Sequence, residues 1–432
     1  MTTATSTTHN WPLNRATAQA LDIADPLARL RSKFHIPITT SDNPQIYLCG
    51  HSLGLQPKSA AGLLNEELLV WQTQAVEGHT NSHRPWLSYH EQLTPGLAEL
   101  CGALPLEVVA MNSLSVNLHL LLLSFYRPTA QRHKILIEAS AFPSDRYAVV
   151  SQLELHGYDA AQSLMQIAPR PGEHLLRTED VVSLLEHDGQ QIATVLLPGV
   201  QYLSGQLLDM QAITRTARQQ GCMVGFDLAH AIGNVPLRLH EWDIDFAVWC
   251  SYKYLNSGPG SIGGAFIHER YAYNAQLPRL AGWWGHDKTT RFAMPERFAP
   301  LPGAEGWQLS NPPIFACAPL LASLQIFQDA GMQALRNKSL QLTAYLQHLL
   351  LGLLSEHIEL ITPTDPQARG CQLSLRLRVS LERARQIHQQ LQTMGVICDW
   401  REPNVIRVTP TPLYNRYIDA WQFVSALQSL LT

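Results

Sequence analysis

Two segments of this sequence are richest in chemistry, GCMVGFDLAHAIGNVPL (221–237) and DFAVWCSYKYLNSGPGSIGG (245–264). In the first, an apolar run ends in Asp227, followed by His230 and a Gly233-Asn234 pair suited to a tight bend. Ligands of an open parallel sheet bind beyond the carboxyl ends of its strands, which is where this Asp sits. Taken alone, a strand-end Asp is more often a helix N-cap than a ligand to anything. In the second segment another apolar run ends in Ser251-Tyr252-Lys253 ahead of a Gly/Pro loop. A lysine at a strand end facing a cleft gives up its proton more readily than a solvated one and can form an imine. The triplet by itself is weak, because most lysines are solvated charges. The pair is more specific: a lysine and a carboxylate at nearby strand ends are what pyridoxal phosphate needs. The lysine holds its aldehyde, and the carboxylate keeps the pyridine nitrogen protonated so that the ring accepts electrons.

A phosphate must also be held. EVVAMNSLSVNLHLLLLSFY (107–126) offers a strand, a polar turn and an apolar helix, with the Leu114 backbone and Ser115 at the helix start. Helix N-terminal amides attract phosphate, although an ordinary Asn/Ser cap explains this segment equally well. KILIEASAFPSDRYA (134–148) ends a further strand in Phe142-Pro143-Ser144-Asp145. An aromatic there can stack on a flat ring, while most such Phe residues simply pack. Asp145 reads equally as the cap of the following helix.

These residues must be positioned by an α/β scaffold. From about 107 to 270, short apolar runs (EVVAMN, KILIEA, IATVLLPG, CMVGFD, DFAVWC, GGAFIH) alternate with helix-sized segments. That alternation predicts a large, mostly parallel central sheet flanked by helices. Residues 1–45 read as an N-terminal arm, Thr/Ser/Asn-rich at its start and helical around 16–33. Residues 46–310 form the large domain, ending in a Pro/Gly-rich connection (295–313). Residues 311–432 form a smaller α+β domain, with helix over 316–355 and strands in CQLSLRLRV and VIRVTP.

The 432 residues suffice for two or three units of ~150 residues. The 31 Lys+Arg against 35 Asp+Glu leave a net charge of −4 with no basic block, which argues against nucleic acid as a partner. Seven cysteines without C-x-x-C spacing predict free thiols and no metal site. The first fifteen residues carry no export or transit pattern. The longest apolar tracts fall short of the roughly 20 residues of a membrane span. A soluble cytoplasmic protein is expected. No G-x-G-x-x-G opens a helix after a strand, which disfavours a nicotinamide enzyme.

With these strand ends in view, the sequence resembles the kynureninase family of fold-type-I pyridoxal-phosphate enzymes. The resemblance rests on YLCGHSLGLQPKS (47–59), RPW (84–86), MNSLSVNLHLL (111–121), FPSD (142–145), GFDLAHAIGNVPL (225–237), WCSYKYLNSGPG (249–260), GWWGH (282–286), LSNPPI (309–314) and IRVTPTPLYN (406–415), in family order. It implies that Lys253 is the imine-forming lysine, Asp227 the pyridinium partner and His230 a companion near the cofactor. Phe142 is similar to the ring-stacking residue, with Pro143, Ser144 and Asp145 beside it. Leu114 and Ser115 resemble the phosphate-binding pair, and Tyr252 and Trp283 further phosphate contacts, Tyr252 doubling as a proton-transfer group. Arg407 is similar to the clamp for the substrate α-carboxylate. Ser52, His79 and Asn311 match substrate-side positions, Asn311 also near the phosphate. Trp249, Trp284 and Trp307 could line the pocket, while most aromatics simply bury area.

The resemblance further implies a homodimer with a shared active site. The implied reaction is hydrolysis of the Cβ–Cγ bond of L-kynurenine or 3-hydroxy-L-kynurenine, a step of tryptophan degradation and NAD precursor synthesis. The His79/Asn311 pair resembles the branch that takes the 3-hydroxy substrate. One departure is Pro198 in LLPGVQYLSGQ (196–206), where the family carries a small hydroxyl residue near the phosphate. Another is an apparent single-residue insertion placed in 270–280. Another fold-type-I lyase or transaminase would share Lys253 and Asp227. A non-catalytic scaffold would have lost one of them, and both are present.

Overall fold

The computed structural model describes residues 11–432, so the Thr/Ser-rich start of the expected arm lies outside the described residues. Seven strands form the main sheet: β1 (Val108–Ala110), β2 (Lys134–Glu138), β3 (Leu164–Ile167), β4 (Ile192–Pro198), β5 (Met223–Asp227), β6 (Phe246–Cys250) and β7 (Gly263–Ile267). Their spatial order is β1-β7-β6-β5-β4-β2-β3. Pairings among β3, β2, β4, β5 and β6 are parallel, and β7 runs antiparallel to both β6 and β1. The sheet is mostly parallel, as expected. The β3 edge strand, LMQI, was not foreseen; it is half-buried and lacks the β-branched run that marks its neighbours.

The strands read as continuous apolar runs because both faces of the sheet are covered. In β1, Val108 and Ala110 join one core while Val109 joins the other, the alternation a pleated strand imposes. On the Val109 side lie the helices Leu114–Phe125 and Pro143–Leu155, with Leu118, Leu121, Val149 and Leu153 buried. On the opposite side the helix Met210–Gln219 buries Ile213 and Ala217, and Asp209 caps it by accepting the Ala212 N–H at 2.9 Å.

A second sheet of β8 (Ile358–Leu360), β9 (Leu373–Leu377), β10 (Asp399–Arg401) and β11 (Val405–Val408) has the order β10-β11-β9-β8, all antiparallel. Its core takes Leu342 to Leu354 from one helix and reaches back to Ala18 and Leu48, whereas the helix Ile314–Ala330 packs in the large core. The cores therefore divide at a different place from the 1–45, 46–310 and 311–432 segments. The helix expected over 16–33 is an α-helix, Arg15–Ile23, followed by a 3-10 turn, Ala28–Lys33. No single helix among the described residues is long and apolar enough to cross a membrane, and the bent pair Ile314–Ala330 and Met332–Leu354 is core structure.

Of the two readings of Trp249, Trp284 and Trp307, pocket lining or simple burial, the structure favours burial. All three are almost wholly inside, Trp249 within β6 and Trp307 donating its indole N–H to Ser124 Oγ at 2.9 Å. A large aromatic next to a strand gains more by filling core than by facing a polar cleft.

Candidate active site

Four chain segments converge at the carboxyl ends of β2, β4, β5 and β6. One cleft there is lined by Leu114, Ser115, Phe142, Ser144, Asp145, Asp227, His230, Tyr252 and Lys253, together with Glu138, Pro198 and Tyr202 among others. Lys253 Nζ lies 3.1 Å from His230 Nε2 and 5.8 Å from the centre of the Phe142 ring. The Phe142 ring is partly exposed and meets Tyr202 edge-on at 5.4 Å. Burial, and then the Lys253 charge, push His230 well below the usual imidazole range, so its ring is neutral. Its Nδ1 is buried without a partner.

Asp227 is buried and its Oδ1 accepts the Ala229 N–H at 2.7 Å, so it both faces the cleft and holds its own turn. Asp145 does not cap its helix. It sits in the first turn, its Oδ1 is buried without a partner, and burial together with Asp227 raises its carboxyl well above the ordinary range. A second carboxyl out of water beside the first disfavours the charged form of Asp145. Glu138, which ends β2, is pushed up to about 7 by burial, against a hydrogen bond from Gln201 Nε2 at 3.2 Å.

At the other end of the cleft two helices start side by side. One begins at Leu114; the other begins at Pro143, whose preset φ suits the first turn of a helix. Ser115 Oγ and Ser144 Oγ are 2.7 Å apart, so both helix starts face one spot. Ser113, not Ser115, is the N-cap residue, and its side chain makes no capping bond. Gly263 makes the approach possible: a Cβ there would stand 2.9 Å from Trp249 O and 3.1 Å from Leu114 N. Pro198 lies on the cleft wall directly opposite Asp227 in the sheet and brings no hydroxyl.

The remaining expected residues are placed elsewhere. Ser52 is exposed, but its segment touches the lysine loop: Gly54 donates its N–H to Tyr252 O at 2.8 Å, where a Cβ would collide with Lys253 O. His79 is half-buried, with Nδ1 2.9 Å from Val76 O, and packs edge-on against Trp86. Trp283 and Asn311 are exposed. None of these four lines the cleft within a single chain. Arg407 stands immediately behind the wall, buried and donating to the carbonyl of the cleft residue Tyr202 at 2.6 Å.

Glu138, Tyr202, His51 and Asp399 went unnoticed in the sequence. His51 is wholly buried, with Nδ1 2.5 Å from Thr409 Oγ1 and its ring 6.3 Å from that of His230. Asp399 stands opposite Arg407 in the β10–β11 register, a pairing that folding DWREPNVIRV into a hairpin would have disclosed.

The donor set fits pyridoxal phosphate: an amine, an aromatic face, a carboxyl pair with an unsatisfied buried oxygen, and two helix N-termini for a phosphate. Comparison with known proteins agrees. A family model described as the Kynureninase C-terminal domain matches residues 335–427. A kynureninase of Koribacter versatilis is 54% identical over 94% of this chain and 95% of its own. One of Myxococcus xanthus is 54% identical over 95% and 96%, and one of Stenotrophomonas maltophilia 54% over 96% and 98%. Among solved structures, C-DES with glycine covalently linked to its PLP cofactor superposes with a TM-score of 0.75 at 18% identity, covering 89% of this chain and 96% of that one. A cysteine desulfurase of Thermococcus onnurineus gives 0.74 at 16%, covering 94% and 98%. These two show the fold.

Proposed function

The chain belongs to the kynureninase family, and on that footing we propose how its residues divide the work of cleaving L-kynurenine. The reaction adds water across the Cβ–Cγ bond, giving L-alanine and anthranilate, or 3-hydroxyanthranilate from the 3-hydroxy substrate. Pyridoxal 5'-phosphate, when bound, supplies an electron sink for negative charge at the substrate Cα. The carrying observation is the position of Lys253, its amine between His230 and the Phe142 ring in the same cleft as the Asp145–Asp227 pair.

Lys253 would hold the cofactor, and its amine is the group that would take the Cα proton as general base. His230 stays neutral beside it, accepting or donating a hydrogen bond without adding a competing charge. Asp227 faces the cofactor's pyridine nitrogen with Asp145 beside it, and burial and the neighbouring Asp227 favour a proton on Asp145. Phe142 offers the stacking face. The Leu114 backbone and Ser115, with Ser144 from the second helix start, hold the phosphate. Burial pushes the Tyr252 hydroxyl above its ordinary range, so it holds its proton at working pH and acts as the acid at the γ-carbonyl oxygen when water adds. Arg407 receives the α-carboxylate, its planar guanidinium matching that group.

Ser52, His79, Trp283 and Asn311 reach a site only as members of a homodimer, each chain completing its partner's cleft. Exposed Trp71 and Phe315, 6.0 Å apart, and exposed Phe292 and Met294 supply apolar surface for such a contact. His79 and Asn311 then meet the aromatic ring and favour 3-hydroxykynurenine. Seven free cysteines, six of them buried, suit the cytoplasm. The kcat/KM ratio for the two substrates checks the preference; faster turnover of the unhydroxylated compound removes it.

The deciding experiment incubates the purified protein, loaded with pyridoxal phosphate, with kynurenine and reads anthranilate fluorescence. Lys253→Ala is expected to lose at least about 10³-fold in rate. Equal product from the variant defeats the proposal.

A further inference from the structure

Arg407 is 1% exposed, and its guanidinium is already gripped from one side. Nε donates to Asp399 Oδ2 at 2.6 Å, Nη2 is ion-paired with the same oxygen at 2.6 Å, and Nη1 donates to Tyr202 O at 2.6 Å. An arginine presents five N–H donors in a rigid plane, and these contacts leave N–H groups on both Nη1 and Nη2 for a further acceptor. The Nη1–Nη2 end of a guanidinium is spaced to match a carboxylate. The same Asp399 oxygen also takes Arg401 Nε at 3.0 Å. Two guanidiniums and one carboxylate leave a single positive charge, which one substrate carboxylate neutralises. His51, 3.9 Å from Asp399, adds none, since burial lowers it to about 4.

We propose that Asp399 is a positioning residue: by holding Arg407 along its Nε–Nη2 edge, it keeps the Nη1–Nη2 end set for the substrate α-carboxylate and so sets the preference for amino acids over amines. The inference rests on the reading of Arg407 as the carboxylate clamp. Removing the Asp399 charge has two opposed effects. It makes the site more positive, which favours an anion, and it strips a buried guanidinium of its partner, which that group does not tolerate in place. Orientation outweighs field here because Arg407 has almost no contact with water and must turn to other acceptors of the chain.

The test uses the holoenzyme and its Asp399→Asn, Asp399→Glu and Arg407→Ala variants. Each is titrated, by the cofactor absorbance band, with L-alanine and with the amine that kynurenine would leave on losing its carboxylate, and KM and kcat are measured for kynurenine. Asp399→Asn is expected to raise the KM and the alanine Kd at least about tenfold, to lower kcat less than about threefold, and to leave the amine's Kd unchanged. Asp399→Glu, which keeps the charge, recovers part of the loss. Equal weakening of alanine and amine, tighter alanine binding, or no change overturns the inference. If Arg407→Ala weakens alanine while Asp399→Asn is silent, the positioning role alone fails. If Arg407→Ala leaves alanine binding intact, the clamp reading fails and the inference with it.

Discussion

Glu138 illustrates what burial does to a single side chain in this cleft. It is 3% exposed, and its carboxyl is raised from 4.5 to about 7. The folded protein therefore keeps a proton that the unfolded chain releases between those values. Stability must fall as pH rises through that window and level off above it. Glu138→Gln removes the titration. The variant is expected to unfold at a higher temperature than the parent at pH 8, by up to about 3 kcal/mol of stability, and to match it near pH 4.5. Thermal unfolding of both proteins at the two pH values checks this; a constant offset between the curves would show that Glu138 titrates alike in both states. The sequence shows Glu138 only as the last residue of an apolar strand. That it is dry follows from β4 and the 199–206 loop closing over it, through Gln201.

At the scale of elements, the end of the cleft proposed to hold the phosphate depends on how closely the helix starting at Leu114 approaches β7. Gly263 is the permissive point, and alanine there must displace Leu114 N or the backbone of Trp249. Gly263→Ala is expected to weaken pyridoxal phosphate binding about tenfold or more while leaving the Lys253 end intact. Dialysis against decreasing cofactor with absorbance readout measures it, and unchanged affinity would mean that the helix start does not hold the phosphate. Most of this element was legible beforehand, because a strand, a polar turn and an apolar helix follow one another in 107–126. Its partnership with the Pro143 helix was not, because Ser115 and Ser144 are separated by a whole strand and meet only when β1 and β2 take their places in the sheet.

At the scale of the molecule, Lys253 and His79 lie apart within one chain, and a shared site predicts complementation between chains. Lys253→Ala and His79→Ala homodimers should each be impaired. Mixing them under exchange conditions should restore activity, since a hybrid holds one site with both residues intact and reaches at most about half the parent's rate. Light scattering of the parent should report a dimer. A monomer that turns over at full rate would show that one chain completes its own site.

What the sequence determined by itself is the local chemistry: which strands end in an acid or an amine, where helices start, and which blocks match a family. Apolar periodicity and turn residues are properties of neighbours along the chain, so the sheet, Asp227, Lys253, Phe142 and the Leu114 helix could all be read from it. Tertiary structure alone decided which distant groups share a dry space. Arg407 meets Tyr202, His51 meets Thr409, and Asp145 is forced beside Asp227. Trp249, Trp284 and Trp307, which the sequence left between pocket and core, are buried. Burial and charge pairing depend on distances in space, and no spacing along the chain carries that information until the strands have been ordered.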